Sequence, residues 1–368
     1  MHPTTSVYLD LVRFTAAMMV VLSHAAYPHL GGDWLGAAGE LGRDAVMIFF
    51  VLSGYVIAYV VQEREADARS YALSRLSRIY SVAAPALVIT VLADALGAAL
   101  DPQFYADAWH IDSKPLPRFV VSLLFLNEYW FESVRAFSNG PYWSLSYEVC
   151  YYIIFGAWCY ASRGLRPLLV GGVLLLAGPK ILLLLPVWLM GVAAYHFNRR
   201  VTLPKWLALG LVLGSIAGFM AYEHFEIAVR GLHYMRDAWG ADFVDGQLKY
   251  SRFFLGANLL GLLLMVHFVG VQQYVSQSSF VVPRAAARVI GRFAGLTFSL
   301  YLMHYPLLHL YFAVTGSSLP TLGLCLLTIA AVGAVTEQKK HLWKRLFEQV
   351  FAFGDRQLRP LLSRRQEP

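Results

Sequence analysis

Apolar runs about as long as a bilayer is thick dominate this sequence, and they constrain its fold more than any other feature. A transmembrane helix needs about 20 consecutive, predominantly apolar residues, and such runs recur along this 368-residue chain from near the N-terminus to about residue 337. In lipid, every backbone N–H and C=O must find a partner inside the protein, and a helix provides this within one segment. The chain is 58% hydrophobic and 14% charged, whereas soluble domains carry about 25% charged residues. It reads as an all-α, polytopic transmembrane helical bundle.

Charged or Pro/Gly-rich breaks divide the runs into about ten helices, at 8–26, 45–62, 79–99, 142–161, 168–178, 181–197, 205–222, 253–270, 294–313 and 319–337. The fifth is too short to cross unaided, so 167–197 is alternatively one broken hairpin pinned at Gly178, Pro179 and Lys180. Residues 118–130 suit a re-entrant or interfacial piece. The first run lacks a basic flank and contains Asp10 and Arg13, so it reads as a retained helix and not a signal peptide. With both termini cytoplasmic, the inner segments hold 20 Lys and Arg against 9 outside, the bias of the positive-inside rule. Residues 1–340 form the transmembrane domain. Residues 341–368 are expected to be a cytoplasmic interfacial helix over His341–Phe353, followed by a disordered basic tail. The outer segment 223–252 is a candidate lid.

The net charge of +7 does not indicate nucleic acid, because the cations cluster at the ends of apolar runs. Cys150, Cys159 and Cys325 lack metal-ligand spacing and sit in apolar segments, which points to neither a zinc site nor a disulfide framework.

Ionisable residues within spans are costly and therefore candidate functional groups. The first span holds Asp10, Arg13 and His24. Eleven residues bring Arg13 and His24 to within about 20° of one helix face but about 16 Å apart along the axis. They can address two ends of a substrate but cannot touch. Asp10 is spaced to hold Arg13, either as a structural ion pair or as part of a site. Ser53 and Gly54 permit close helix approach. Arg75 and Arg78, one turn apart, suit a phosphate-rich ligand or a plain topological anchor. Glu148, near the start of the fourth span, is a partner for a substrate, for His24, or for the helix N-terminus. Tyr301 and His304 lie on adjacent turns of the ninth span, while His267 stands alone and reads as structural.

In order and spacing these residues resemble the acyltransferase 3 family of bacterial membrane acyltransferases, which modify surface polysaccharides, nodulation factors, lipopolysaccharide and some macrolides. The resemblance runs from Tyr8 to about Glu337. It rests on LDLVRFTAAMMVVLSH, FFVLSG, the Arg75/Arg78 pair, PYWSLSYE and YLMH. It implies that His24 is the essential catalytic residue with Arg13 as companion, and that Arg75 and Arg78 contact acyl-CoA on the cytoplasmic side, with Ser53 beside them. Glu148, Tyr301 and His304 carry over as site residues, and Trp143 and Asp10 as substrate contacts. The chain departs from the family pattern at Thr297 and Phe298 and at Gln338 and Lys339.

The expected activity is O-acylation of a sugar hydroxyl on a surface polysaccharide or other glycoconjugate, with acyl-CoA, and acetyl-CoA in particular, as the donor. Acylation of a small glycosylated metabolite is the alternative acceptor reading, and a secondary transporter the rival class. The expected location is the bacterial inner membrane, with no tightly bound cofactor or metal. His24 would act as general base or as a transient acyl carrier.

Overall fold

The computed structural model describes residues 2–106 and 114–363. Helix α1 spans Pro3–Ala25. It opens with proline in its first turn, where no N–H is needed, and with the His2 ring accepting from the Thr4 amide at 3.3 Å. Two short 3-10 turns lead into α2, Leu41–Glu63. Helix α3, Ala68–Leu100, begins on a capping box in which Asp67 and Ser70 exchange side-chain-to-backbone bonds. After α4 (Pro102–Tyr105), the chain forms α5 (Pro115–Leu123) and a hairpin of two-residue strands, β1 at Glu128–Tyr129 and β2 at Glu132–Ser133. The remaining helices are α6 (Trp143–Tyr160), α7 (Arg166–Arg200), α8 (Lys205–His224), α9 (Ile227–Trp239), α10 (Ala241–Gln247), α11 (Phe254–Ser276), α12 (Arg284–Ala294), α13 (Thr297–Thr315), α14 (Ser318–Thr336) and α15 (Lys340–Ser363).

Seven of these, α1, α2, α3, α7, α8, α11 and α14, are long and apolar enough to cross a membrane. The expected spans 168–178 and 181–197 both fall within α7, which breaks at Gly178 (φ 76°, ψ 176°), a conformation open to glycine alone. A Cβ there would meet the Trp130 backbone at 2.5 Å, so the hairpin packs directly on the break. Two further expected spans are α6 and α13, of 18 and 19 residues. Polar groups interrupt both, and α13 carries fully buried His304 and His309.

Three segments read from the sequence take definite form in the structure. The apolar piece 118–130 is helical only to Leu123, because Phe125 takes a positive φ of 58° and turns the chain toward the hairpin. The segment 223–252 is folded, with α9 and α10 closing a small apolar core of Leu232, Met235, Val244 and Leu248. The C-terminal helix continues past Phe353 to Ser363, and it packs on α3 through Trp343 and Phe347 against Tyr80. Arg364 and Arg365 lie outside the described residues.

Close backbone approach sets the centre of the bundle. Gly54 of α2 faces the Trp188 carbonyl of α7, and Gly191 of α7 faces the Val51 carbonyl of α2. Helix α13 packs on α1, α3 and α14.

Candidate functional site

A cavity of about 990 Å³ runs between α1, α2, α3, α6, α13 and α15. Asp10, Arg13, Ser53, Arg75, Arg78, Glu148 and Tyr301 all line it, so the fold brings together seven residues singled out from a sequence stretch of almost three hundred positions. His24, His304 and Trp143 lie outside its lining. The cavity lining reaches Tyr301, whose ring centroid is 6.4 Å from that of His304. Tyr301 is fixed there by Ser144 Oγ at 2.8 Å and by donating to the Pro141 carbonyl at 3.1 Å.

At the Arg13 end, Asp10 accepts from Arg13 at 3.2 Å, as the three-residue spacing predicted. Arg75 is buried, stacked near Tyr71 and Tyr152, and paired with Glu65 at 2.7 Å. That pair uses one bond only, leaving Arg75 Nε and Glu65 Oε2 buried without partners in the cavity wall. Arg78 is exposed and forms no ion pair among the described residues. Lys340, His341 and Lys344 of α15 add cationic and imidazole groups to the same rim. Glu337 also lines the cavity and accepts from the Ser299 amide at 3.0 Å and hydroxyl at 2.9 Å, near the start of α13. Burial pushes its carboxyl above the ordinary carboxylate range despite these donors.

Midway along the cavity is a polar knot. Ser53 donates to Glu148 Oε1 at 2.8 Å, Tyr152 donates to the same oxygen, and Trp188 donates to Ser53 at 3.2 Å. Glu148 thus belongs to this knot and not to His24, correcting that option: it lies on the fourth span, one turn from Tyr152, on the face turned to α2. Sequence reading missed Tyr152 and Trp188. Tyr152 stands four residues after Glu148, a helical spacing that could have revealed it.

At the other end, His24 Nδ1 and His304 Nε2 are 2.8 Å apart with nearly stacked rings. His304 Nδ1 lies 2.8 Å from the Leu300 carbonyl, which can only accept. His304 Nδ1 therefore carries a proton, and with both rings neutral its Nε2 accepts from His24 Nδ1–H. His24 Nε2 is left as a lone pair. This is the arrangement a general base needs, with a second group fixing its tautomer. His304, expected as a substrate contact, is hydrogen-bonded to His24.

Tyr305 stands edge-on to His24 at 4.8 Å, and Tyr27 at 5.3 Å. Burial pushes the Tyr27 phenol up to about 12, so it remains a neutral donor at neutral pH. His29 and His309 form a second pair, Nε2 to Nε2 at 3.3 Å, within the same aromatic cluster. Trp143 stacks flat on Tyr250 at 4.5 Å, which covers one of its faces. His267, read as structural, bridges Tyr8 at 2.7 Å and Ser215 at 2.9 Å.

No curated protein and no solved structure matches the chain. The sequence model of one family, described as an acyltransferase domain, matches residues 6–336, which include every residue of the cavity's polar knot and the His24–His304 pair. The chain is a multi-pass membrane protein and belongs to the acyltransferase 3 family.

Proposed function

We propose that this protein transfers an acyl group, acetyl in the simplest case, from acyl-CoA to a sugar hydroxyl on a surface polysaccharide or other glycoconjugate. One observation carries the reading: a cavity with a cationic rim ends one side chain away from a histidine whose tautomer leaves a lone pair free. Arg78, Lys340 and Lys344 suit the phosphates of CoA, and the unpaired Nε of Arg75 suits a further anionic oxygen. The Lys and Arg bias supports a cytoplasmic position for that rim, the side that holds acyl-CoA. The pantetheine arm then lies along Arg13 and the Glu148 knot, and the acyl end passes Tyr301 to reach His24.

There, His24 Nε2 takes the proton of the attacking hydroxyl as its oxygen bonds to the thioester carbonyl carbon. Collapse of the tetrahedral state expels the CoA thiolate, and the proton follows it. His304, by accepting from His24 Nδ1–H, stabilises the imidazolium as it forms. The acceptor approaches from the opposite side, where Tyr27, Tyr305, Tyr250 and Trp143 offer the aromatic faces that sugars favour. The site of action is a bacterial inner membrane. Proteoliposomes holding the purified protein, given acetyl-labelled acetyl-CoA on the rim side and a mixture of cell-surface glycans on the other, test this. Label on the glycan supports the reading; donor left intact with every glycan contradicts it.

A further inference from the structure

We propose that Arg135 is the cation that receives the oxyanion of the acyl-transfer step at His24. This rests on the acyl-transfer reading above and adds the group that reading lacks. A tetrahedral oxyanion needs fixed donors or positive charge close to where it forms. Arg13 cannot supply them, being about 16 Å further along α1.

Arg135 lies in the segment between β2 and α6. Its guanidinium carbon sits 5.8 Å from the centroid of the Tyr305 ring, and that ring touches His24 edge-on at 4.8 Å. The two legs together put the guanidinium within about 11 Å of the His24 ring centre. It hydrogen-bonds the Tyr305 side chain and lies within electrostatic reach of His24, Tyr27 and His309. NH2 donates to the Ser138 carbonyl at 3.1 Å, while Nε is buried without a partner, and no carboxylate pairs with Arg135 among the described residues. A guanidinium carries five N–H donors, and a partly buried one with no anion is costly unless an anion arrives.

The segment that holds it is rigid in the way a preorganised site requires. Arg118 NH1 donates to the Arg135 carbonyl at 2.7 Å, Asp94 accepts from the Ser138 amide at 2.9 Å, and Asn139 donates to the Leu302 carbonyl at 2.8 Å. Ser138 and Asn139 are fully buried. The segment is thereby fastened to α13 two residues before His304. The chain bends inward at Phe137, whose φ is 56°. In the reaction, the carbonyl π pair moves onto oxygen as the hydroxyl oxygen bonds to carbon. That charge faces Arg135 until it returns to expel the leaving group.

The test uses the purified full-length protein with two acyl donors, acetyl-CoA and 4-nitrophenyl acetate, and with water as acceptor. Water removes any role of Arg135 in reading a glycan, and the nitrophenyl ester needs no CoA site. Arg135→Gln is expected to slow release of CoA and nitrophenol by about 10²–10³-fold with donor KM unchanged. Arg135→Lys should keep part of the rate, and added guanidinium should restore part of it to Arg135→Ala. Thermal melting of each variant identifies any that fail to fold, and Arg135→Lys then carries the comparison. Arg135→Gln hydrolysing both donors at the wild-type rate overturns the proposal, including where it is slow only toward glycans. A folded wild type that consumes the nitrophenyl ester but not acetyl-CoA overturns the donor assignment while leaving Arg135 testable. One that consumes neither overturns both.

Discussion

Replacing Gly54 with alanine should force α2 and α7 apart, and the structure gives the scale. A Cβ on Gly54 would lie 2.0 Å from the Trp188 carbonyl oxygen, and one on Gly191 would lie 1.9 Å from the Val51 carbonyl oxygen. Both obstacles are backbone, which cannot rotate aside, so each substitution demands an opening of about 1.5 Å to reach an ordinary contact. Overpacking of this kind costs about 1–3 kcal/mol. The neighbouring bond from Trp188 to Ser53 would be stretched with it, adding about 0.5–1.5 kcal/mol. The expected loss for either single variant is then about 2–4 kcal/mol. Because one opening relieves both clashes, Gly54→Ala/Gly191→Ala should cost little more than either alone. Gly214 of α8 has no atom within 4 Å of its Cβ position, so Gly214→Ala should be neutral or stabilising by up to about 1 kcal/mol. Unfolding of wild type and the four variants in one detergent measures this. Gly54→Ala matching the Gly214→Ala control, or a double variant losing the full sum, would refute the backbone-contact argument.

Three further outcomes are expected. Arg78→Ala should raise the KM for acyl-CoA about 10–100-fold, the loss of one or two charge-assisted bonds, and leave the melting point in place; Arg75→Ala should lower the melting point as well, since it strands buried Glu65. Equal effects of the two on melting would contradict their assignment. His304→Phe should cut turnover on the order of 10²–10⁴-fold while donor affinity persists, because His24 then loses the acceptor that sets its tautomer; direct binding of a non-hydrolysable acyl-CoA analogue separates the two quantities. Asp245 accepts from Arg236 at 2.9 Å, which holds its carboxyl below the ordinary value of 3.8. The clamp between α9 and α10 is therefore fully present above that value and is lost as pH falls through the lowered one. Amide protection across 227–251 should drop in that acid window for wild type but show no such step in Asp245→Asn.

Much of the bundle is legible in the sequence because lipid imposes length, and length is written in apolar runs. Gly178-Pro179 announces the break in α7, and Ser53-Gly54 the tight contact with α7. The pairing of Asp10 with Arg13 is local and follows from spacing. What is not legible depends on contacts between distant segments. Arg135 looks like an ordinary loop cation until Phe137 turns the chain inward and Asn139 ties it to Leu302. Arg75 looks as available as Arg78 until Glu65, ten residues earlier, folds back onto it. The role of His304 is likewise visible only once two hydrogen bonds, one to Leu300 and one to His24, fix which nitrogen carries the proton. The C-terminal helix reads as a membrane-surface anchor by its amphipathic pattern, whereas in the fold it supplies part of the cavity rim.

The central claim, that His24 is the base for transfer from acyl-CoA, meets its most direct test in His24→Ala. Free CoA released from acetyl-CoA is followed for wild type and variant, alongside equilibrium binding of acetyl-CoA to each. The account predicts that the variant binds the donor as wild type does, because His24 lies outside the cavity, and releases no CoA above the uncatalysed rate. CoA release by a well-folded His24→Ala protein at the wild-type rate would contradict it.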